Sequence, residues 1–385
     1  MTETSAGPAG ARAAPRSRRV VFAPDSFKGS LDAPAVAEAL AEGWRMHEPD
    51  AEIVLRPMAD GGEGTIDCFA LAHPRARRMP VTVVGPDGRQ RTAEWLLLPA
   101  DERHPGGVGV VELAGTSGIE LLEGALRPDD ADTTGFGQAV AAALDHGVSR
   151  LVLGIGSSAS TDGGLGLLRA LGATFTDPQG APVPAGARGL SELASADLTA
   201  LRRLPAGGAT VITDVTNPLL GPLGAAAVFG PQKGLDPEGV VRAETGLQRL
   251  AALLGGDPDE PGAGAAGGTG FALRLWGAEL APGADAIAEL VGLRAAIEDA
   301  DLVVTGEGQF DYQSLAGKVP GCVAGLARAA GTPAAVVAGR IAPGADPTVF
   351  FAAVSLTELA GSPEASLADP RGWLRTAGAL LARTL

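Results

Sequence analysis

Five times along this chain an apolar, β-rich run breaks into a loop that combines glycine with a carboxylate and with a hydroxyl or a cation. The loops are "APDSFKGS" (23–30), "PMADGGEGT" (57–65), "GIGSSASTDGG" (154–164), "TDVTNPLLG" (213–221) and "TGEGQFDYQSLAGK" (305–318). Four of them directly follow a run that reads as a strand, and the loop at 57–65 overlaps the end of one. Strands that end this way, with helically spaced segments between them, belong to α/β layered folds. In open α/β sheets the ligand sites form at the carboxyl ends of the strands. The recurrence therefore predicts both a fold class and the place where chemistry happens.

The elements around the loops follow from spacing. "RRVVFA" (18–23) reads as a first strand, and 32–46 as a helix with Asp32 as N-cap and Pro34 in its first turn. "AEIVLRPM" (51–58) reads as a second strand, followed by a helix from near Gly61. The pattern then changes: 79–99 holds two β-rich runs around Pro86-Asp87-Gly88, the signature of a hairpin, and 107–115 is a further strand. Helices are expected at 131–146, 163–171, 236–254, 285–299 and 316–330, and strands at 150–156, 209–215, 301–306, 333–339 and 350–356. Residues 255–268 read as a Gly/Pro/Asp loop. The expectation is an α/β protein of two domains with an active-site cleft between them. A discontinuous Rossmann-like three-layer domain would comprise 18–78 and 286–385, and an inserted α+β domain 79–285. Residues 1–17 read as a disordered Ala/Pro/Arg tail.

Composition narrows the function. A formal charge of −15 leaves no basic stripe for a nucleic acid. No apolar run reaches the length of a membrane span, and the first residues lack the apolar stretch of a signal peptide. Cys68 and Cys322 form neither a disulfide framework nor a metal spacing, so the chain reads as cytoplasmic. The 30 basic residues include three lysines only, and each adjoins a glycine: Lys28-Gly29, Lys233-Gly234 and Gly317-Lys318. A compact ammonium beside a glycine reaches an anion that the backbone also approaches, which a planar guanidinium does not do as freely.

The loop chemistry points the same way. Glycine admits close approach of backbone N–H groups to a phosphate, and carboxylates hold magnesium, which binds phosphate oxygens. Lysine, carboxylate, hydroxyl and glycine together are the parts of phosphoryl transfer. Each loop also has a plainer reading. Asp162 fits an N-cap, Asp214 a solvated strand end, Asp60 a capping turn, and Glu307 and Asp311 an exposed loop. "GAGAAG" (262–267) matches the dinucleotide pattern but follows no strand, Lys318 lacks the P-loop glycine spacing, and no G-x-S-x-G elbow is present.

Read together, "APDSFKGSL", "RPMADGGEGT", "GIGSSASTDGG", "NPLLGPLGAAAVFGPQKG", "PGAGAAGGTGFAL" and "ADLVVTGEGQFD-QSLAGK" resemble the type I glycerate kinase family, from about residue 19 to the C-terminus. This chain departs from the family pattern at Thr216, where an acid is usual, at Gln309, where an arginine is frequent, and around Ser160 and Thr161. The resemblance implies an enzyme that phosphorylates D-glycerate with ATP and Mg2+, at the 2-hydroxyl. The alternatives are a kinase for the 3-hydroxyl or for another small hydroxy acid, and a catalytically silent acid-binding regulator on the same fold. Under this reading Asp162 is the general base, with Asp60 its runner-up, and Lys28 is catalytic as well as substrate-binding. Ser157, Ser158 and Glu63 join it at the substrate. Lys233, Lys318, Gly61, Gly62 and Asp311 take the nucleotide, and Asp214 and Glu307 the magnesium. The partners are then D-glycerate and ATP, with neither nucleic acid nor membrane, and a homo-oligomer is compatible with the sequence.

Overall fold

The computed structural model describes residues 17–384, so the expected tail lies, but for its last residue, outside the described residues. Its strands are β1 (Arg19–Phe22), β2 (Glu52–Leu55), β3 (Arg77–Val84), β4 (Gln90–Leu98), β5 (Val108–Glu112), β6 (Arg150–Gly154), β7 (Thr174–Thr176), β8 (Ser195–Asp197), β9 (Ala209–Ile212), β10 (Glu279–Ala281), β11 (Leu302–Phe310), β12 (Ala334–Ile341) and β13 (Ala352–Ser355). One sheet has the order β13-β12-β11-β1-β2, every pair parallel. Numbered along the chain this is 2-1-3-4-5, a doubly wound order whose crevice opens where the strand order reverses, here between β1 and β11. The other large sheet has the order β10-β9-β6-β5-β4-β3. Its first four strands are parallel, and β4 and β3 add an antiparallel edge. That edge is the hairpin expected around Pro86-Asp87-Gly88, and β7 and β8 form a separate small ladder.

Local signals explain several elements. Helix Ala33–Arg45 starts where Asp32 Oδ1 accepts the Ala35 amide at 2.7 Å, with Pro34 in its first turn. Three expectations change. The helix expected at 285–299 is two helices, Gly283–Leu290 and Leu293–Glu298, broken at Gly292, whose φ of 67° no helix accommodates. The strand expected to stop at 306 runs on to Phe310, because β12 continues beside it and pairs Glu307 with Ala338 and Phe310 with Ile341. The glycine loop at 262–267 runs into helix Ala265–Leu275, whose residues Ala266, Gly267 and Gly268 are left-handed. The expected domain boundaries at 78/79 and 285/286 fall inside β3 and inside helix Gly283–Leu290.

Apolar packing is continuous from one sheet to the other. On the outer face of the five-stranded sheet, helices Ala33–Arg45 and Pro370–Thr384 cover Val20, Phe22 and Val304, with Trp44 edge-on to Phe22 at 6.1 Å. These helices touch backbone to backbone. A Cβ on Gly43 would lie 1.9 Å from Arg375 O, and one on Gly378 2.1 Å from Leu40 O. Between the sheets, Val21, Val303 and Phe310 of the first share a cluster with Leu96, Val110, Val152 and Ile212 of the second. Each fully buried side chain of this kind contributes roughly 1.5–3 kcal/mol. The shared cluster fixes the carboxyl ends of β1, β2, β5, β6 and β9 around one opening.

Candidate active site

The opening is a cleft of about 910 Å³ whose walls are the loops that leave those five strands. Glycines set how closely the loops meet. The Gly156 amide donates to Gly61 O at 2.9 Å, and a Cβ on Gly156 would lie 2.5 Å from Gly62 Cα. Gly61, with φ 90°, presses on the other side against Ile212 O. The loops after β2, β6 and β9 are thus stacked backbone on backbone, and no side chain fits between them.

Carboxylates dominate the walls. Asp32, Asp60, Glu63, Asp67, Glu112, Glu120 and Asp214 line the cleft, and Lys28 is the cation among its lining residues. Lys28 Nζ stands 3.4 Å from Asp60 Oδ2, with 80% of its side chain exposed. Asp60 Oδ1 accepts the Gly62 amide at 3.0 Å, and Asp214 Oδ1 accepts the Gly283 amide at 2.7 Å. Asp25 and Glu307 stand beside this group. Burial pushes Asp25 up to about 7, helped by the charge of Asp60 and, more weakly, of Glu307. Burial also raises Asp214, opposed by the Gly283 amide and reinforced by Asp60. Burial raises Glu307 as well, and its Oε1 is buried without a hydrogen-bond partner among the described residues. Glu307, Asp25, Asp60 and Asp214 therefore form a string in which each repels the next. Glu112 closes the floor. Its Oε2 accepts the Ile66 amide at 3.0 Å at the start of helix Thr65–Ala72, and burial pushes it up to about 7. Among the described residues, no three acidic, histidine or cysteine side chains form a ready-made metal cage.

A smaller pocket of about 280 Å³ opens beside the cleft and shares Gly156, Ser157, Thr213 and Val215 with it. It adds Ser158 and Lys233. Lys233 is buried, donates to Ser158 Oγ at 2.7 Å and to Ser160 O at 2.5 Å, and is pulled down to about 7 by burial. Ser157, on the wall between the two spaces, holds φ 58°, a left-handed conformation that costs a non-glycine residue of order 1 kcal/mol.

Of the residues expected from sequence, Lys28, Asp60, Gly62, Glu63, Ser157 and Asp214 line the cleft. Ser158 and Lys233 line the smaller pocket. Gly61 lies behind the wall, as packing. Asp162 does not reach either space. It is buried, and its two oxygens accept Thr133 N and Oγ1, Ser160 Oγ, Gly164 N and Gly166 N at 2.7–3.2 Å. Those bonds hold the loop after β6 to the helix that starts at Thr134, and they leave no lone pair for a substrate proton. Asp311 and Lys318 sit apart from the cleft lining, 3.7 Å from each other on the loop after β11, where Lys318 also favours the ionised form of Glu307. Two residues were overlooked. Asp25 lies three positions before Lys28 in a loop already singled out, and Glu112 ends a strand, so the strand-end rule that found the others covers both.

The glycerate kinase family model matches residues 20–385. A "Glycerate 2-kinase" of Escherichia coli (strain K12) is 40% identical over 331 residues, 84% of this chain and 85% of that one. A "Glycerate kinase" of Bacillus subtilis (strain 168) is 40% identical over the same shares. A crystal structure provisionally assigned to a glycerate kinase 2 of Salmonella typhimurium LT2 superposes with a TM-score of 0.82 at 39% identity, covering 96% of this chain and 98% of that one. With several of its motifs lining one cleft and its sequence matched almost end to end, the chain belongs to the glycerate kinase family and is a kinase.

Proposed function

We propose that this chain transfers the γ-phosphoryl group of ATP to D-glycerate, at the 2-hydroxyl, giving 2-phosphoglycerate and ADP, in a cleft between two domains. One domain would be built on the five-stranded sheet, the other on the six-stranded sheet, with the chain crossing over just before β3 and after β10. The observation that carries the activity is the string Glu307–Asp25–Asp60–Asp214 with Lys28 over it, where Asp25, Asp60 and Asp214 follow strands of both sheets and Glu307 lies within β11. The names of the relatives supply the acceptor.

Asp25, half-buried just past the end of β1 and next to Ser26 of the cleft wall, is the group that would accept the hydroxyl proton, and its lift to about 7 suits a base. The proton leaves the hydroxyl as its oxygen bonds to phosphorus, and Asp25 then releases it to water. Lys28 faces the same spot and stabilises charge on the transferring group. The acidic string fits Mg2+: its donors are all carboxylate oxygens, they repel one another, and Glu307 leaves one buried oxygen unpartnered. Asp60 and Asp214 would hold the ion directly or through water, with Glu307 behind them. When bound, Mg2+ supplies neutralisation of phosphate charge. The base role expected for Asp162 passes to Asp25, since Asp162 is spent on loop structure.

Phosphorus NMR of the purified protein with ATP, Mg2+ and D-glycerate tests the proposal. The expected product shows phosphorus split by the single proton of C2. Splitting by two protons would place the phosphate on the 3-hydroxyl, and ADP without any phosphoglycerate would overturn the acceptor.

A further inference from the structure

We infer that the small pocket beside the cleft is the seat of the acceptor's carboxylate, held by the ammonium of Lys233. This deepens the phosphorylation of a hydroxy acid proposed above and rests on it. Lys233 is 3% exposed, and its two hydrogen-bond partners among the described residues, Ser158 Oγ and Ser160 O, are both neutral oxygens. An ammonium carries three N–H donors, so one remains for a ligand. The residue lines the pocket, and the charge that acts on it from within the protein is that of Asp162. A buried cation without a paired anion is costly. A carboxylate entering the pocket supplies the missing partner.

Size separates the two substrates. Drug-sized ligands occupy pockets of about 300–1,000 Å³. The cleft, at about 910 Å³, accommodates a nucleotide, whereas the pocket, at about 280 Å³, suits a three-carbon acid. Ile119, Ile155, Val215 and Phe229 give it apolar walls, Ser157, Ser158, Thr213 and Gln232 add neutral polar groups, and Lys233 is the one charge among its lining residues, so an anion is selected. Its position also fits. A Cβ on Gly62 would lie 3.6 Å from Ser157 Oγ and 3.0 Å from Asp60 Oδ1, so the wall shared with the cleft adjoins the acidic string. An acid anchored on Lys233 would present its hydroxyls there. The left-handed turn at Ala266, Gly267 and Gly268 completes the seat, because a Cβ on Gly267 would stand 3.0 Å from Lys233 Nζ. Lys233 is thereby moved from the nucleotide, where sequence reasoning put it, to the acceptor.

Ligand-observed NMR with D-glycerate, D-lactate and glycerol, paired with calorimetry of ATP, tests this. Wild-type protein is expected to bind both acids and not glycerol. Lys233→Met is expected to weaken both acids at least tenfold and to leave ATP affinity within twofold. Ile119→Phe narrows the pocket without touching the lysine and is expected to give the same selective loss, so it decides the matter if Lys233→Met does not fold. Acid binding that survives both variants, or ATP affinity that falls as far as acid affinity, overturns the assignment. Wild-type protein that binds neither acid overturns it too. Acids that bind through Lys233 without being phosphorylated would sustain this site and sink the proposed reaction.

Discussion

Lys28 pairs with Asp60 at 3.4 Å and is otherwise largely in solvent at the cleft wall, so it contributes little to the fold. Lys28→Ala is expected to keep stability within about 0.5 kcal/mol. It should lose roughly 2–4 kcal/mol of transition-state stabilisation, about 30- to 1,000-fold in kcat/KM. Lys28→Arg should recover part of this, because a planar fork fits a point-charge site poorly. Unchanged kinetics for Lys28→Ala in steady-state assays would remove the residue from the reaction. Asp25 gives a pH signature. A base lifted to about 7 is ionised above that pH and protonated below it, so kcat/KM should fall about tenfold per unit on the acid side. Asp25→Asn should lower kcat by about 10²- to 10⁴-fold and flatten that limb. A limb that persists in the variant would assign the base elsewhere. Lys28, Asp60 and Asp214 meet at the cleft wall, and sequence could point to them because each follows a strand whose end is legible. Sequence could not separate the two readings of Asp162, because a cap for the loop and a catalytic acid look alike in one dimension. Only the five donors around it tell them apart.

At the level of elements, the sequence was legible wherever a local rule acted alone. Asp32 and Pro34 announced helix Ala33–Arg45, and Pro86-Asp87-Gly88 announced the β3–β4 hairpin. It failed where a partner overruled the local signal. Residues 307–310 read as loop, yet β12 draws them into β11. Gly292 interrupts a periodic apolar pattern that, without coordinates, reads as one helix. Helical glycines separate the same way. Gly378, in the helix that covers the outer face of the first sheet, meets Leu40 O, whereas Gly325 in helix Val319–Ala330 has open space where a Cβ would go. Gly378→Ala is expected to destabilise by about 1–3 kcal/mol, the usual range for forcing atoms into a packed contact. Gly325→Ala should stabilise by up to about 1 kcal/mol through helix propensity and a less free unfolded chain. Denaturant melts of the two variants check both signs, and a neutral Gly378→Ala would mean that the two helices slide apart easily.

Over the whole molecule the puzzle is charge: a chain at −15, with a cleft walled by acids, is read as binding two anions. The raised carboxyls show what that arrangement costs the fold. Asp25 and Glu112, lifted from 3.8 and 4.5 to about 7, hold protons in the folded state that the unfolded chain releases. Their contribution is fully favourable below the unfolded values. It is lost as pH rises towards 7, roughly 3–4 kcal/mol for each group. A divalent cation that binds the folded state opposes this loss, by about 2.7 kcal/mol at a hundred times its dissociation constant. Millimolar Mg2+ should therefore raise Tm by several degrees at pH 8 and by much less at pH 5, where Asp25 in the string already carries a proton. Removing two of the repelling charges with Asp60→Asn and Asp214→Asn should raise Tm at pH 8 without metal and abolish the response to Mg2+. Thermal melts at the two pH values, with and without Mg2+, check this independently of any turnover. An equal Mg2+ shift at both pH values, or one that survives the double substitution, would place the ion outside the acidic string. The cleft would then need another source of positive charge, and Lys28 is the one lining cation it has.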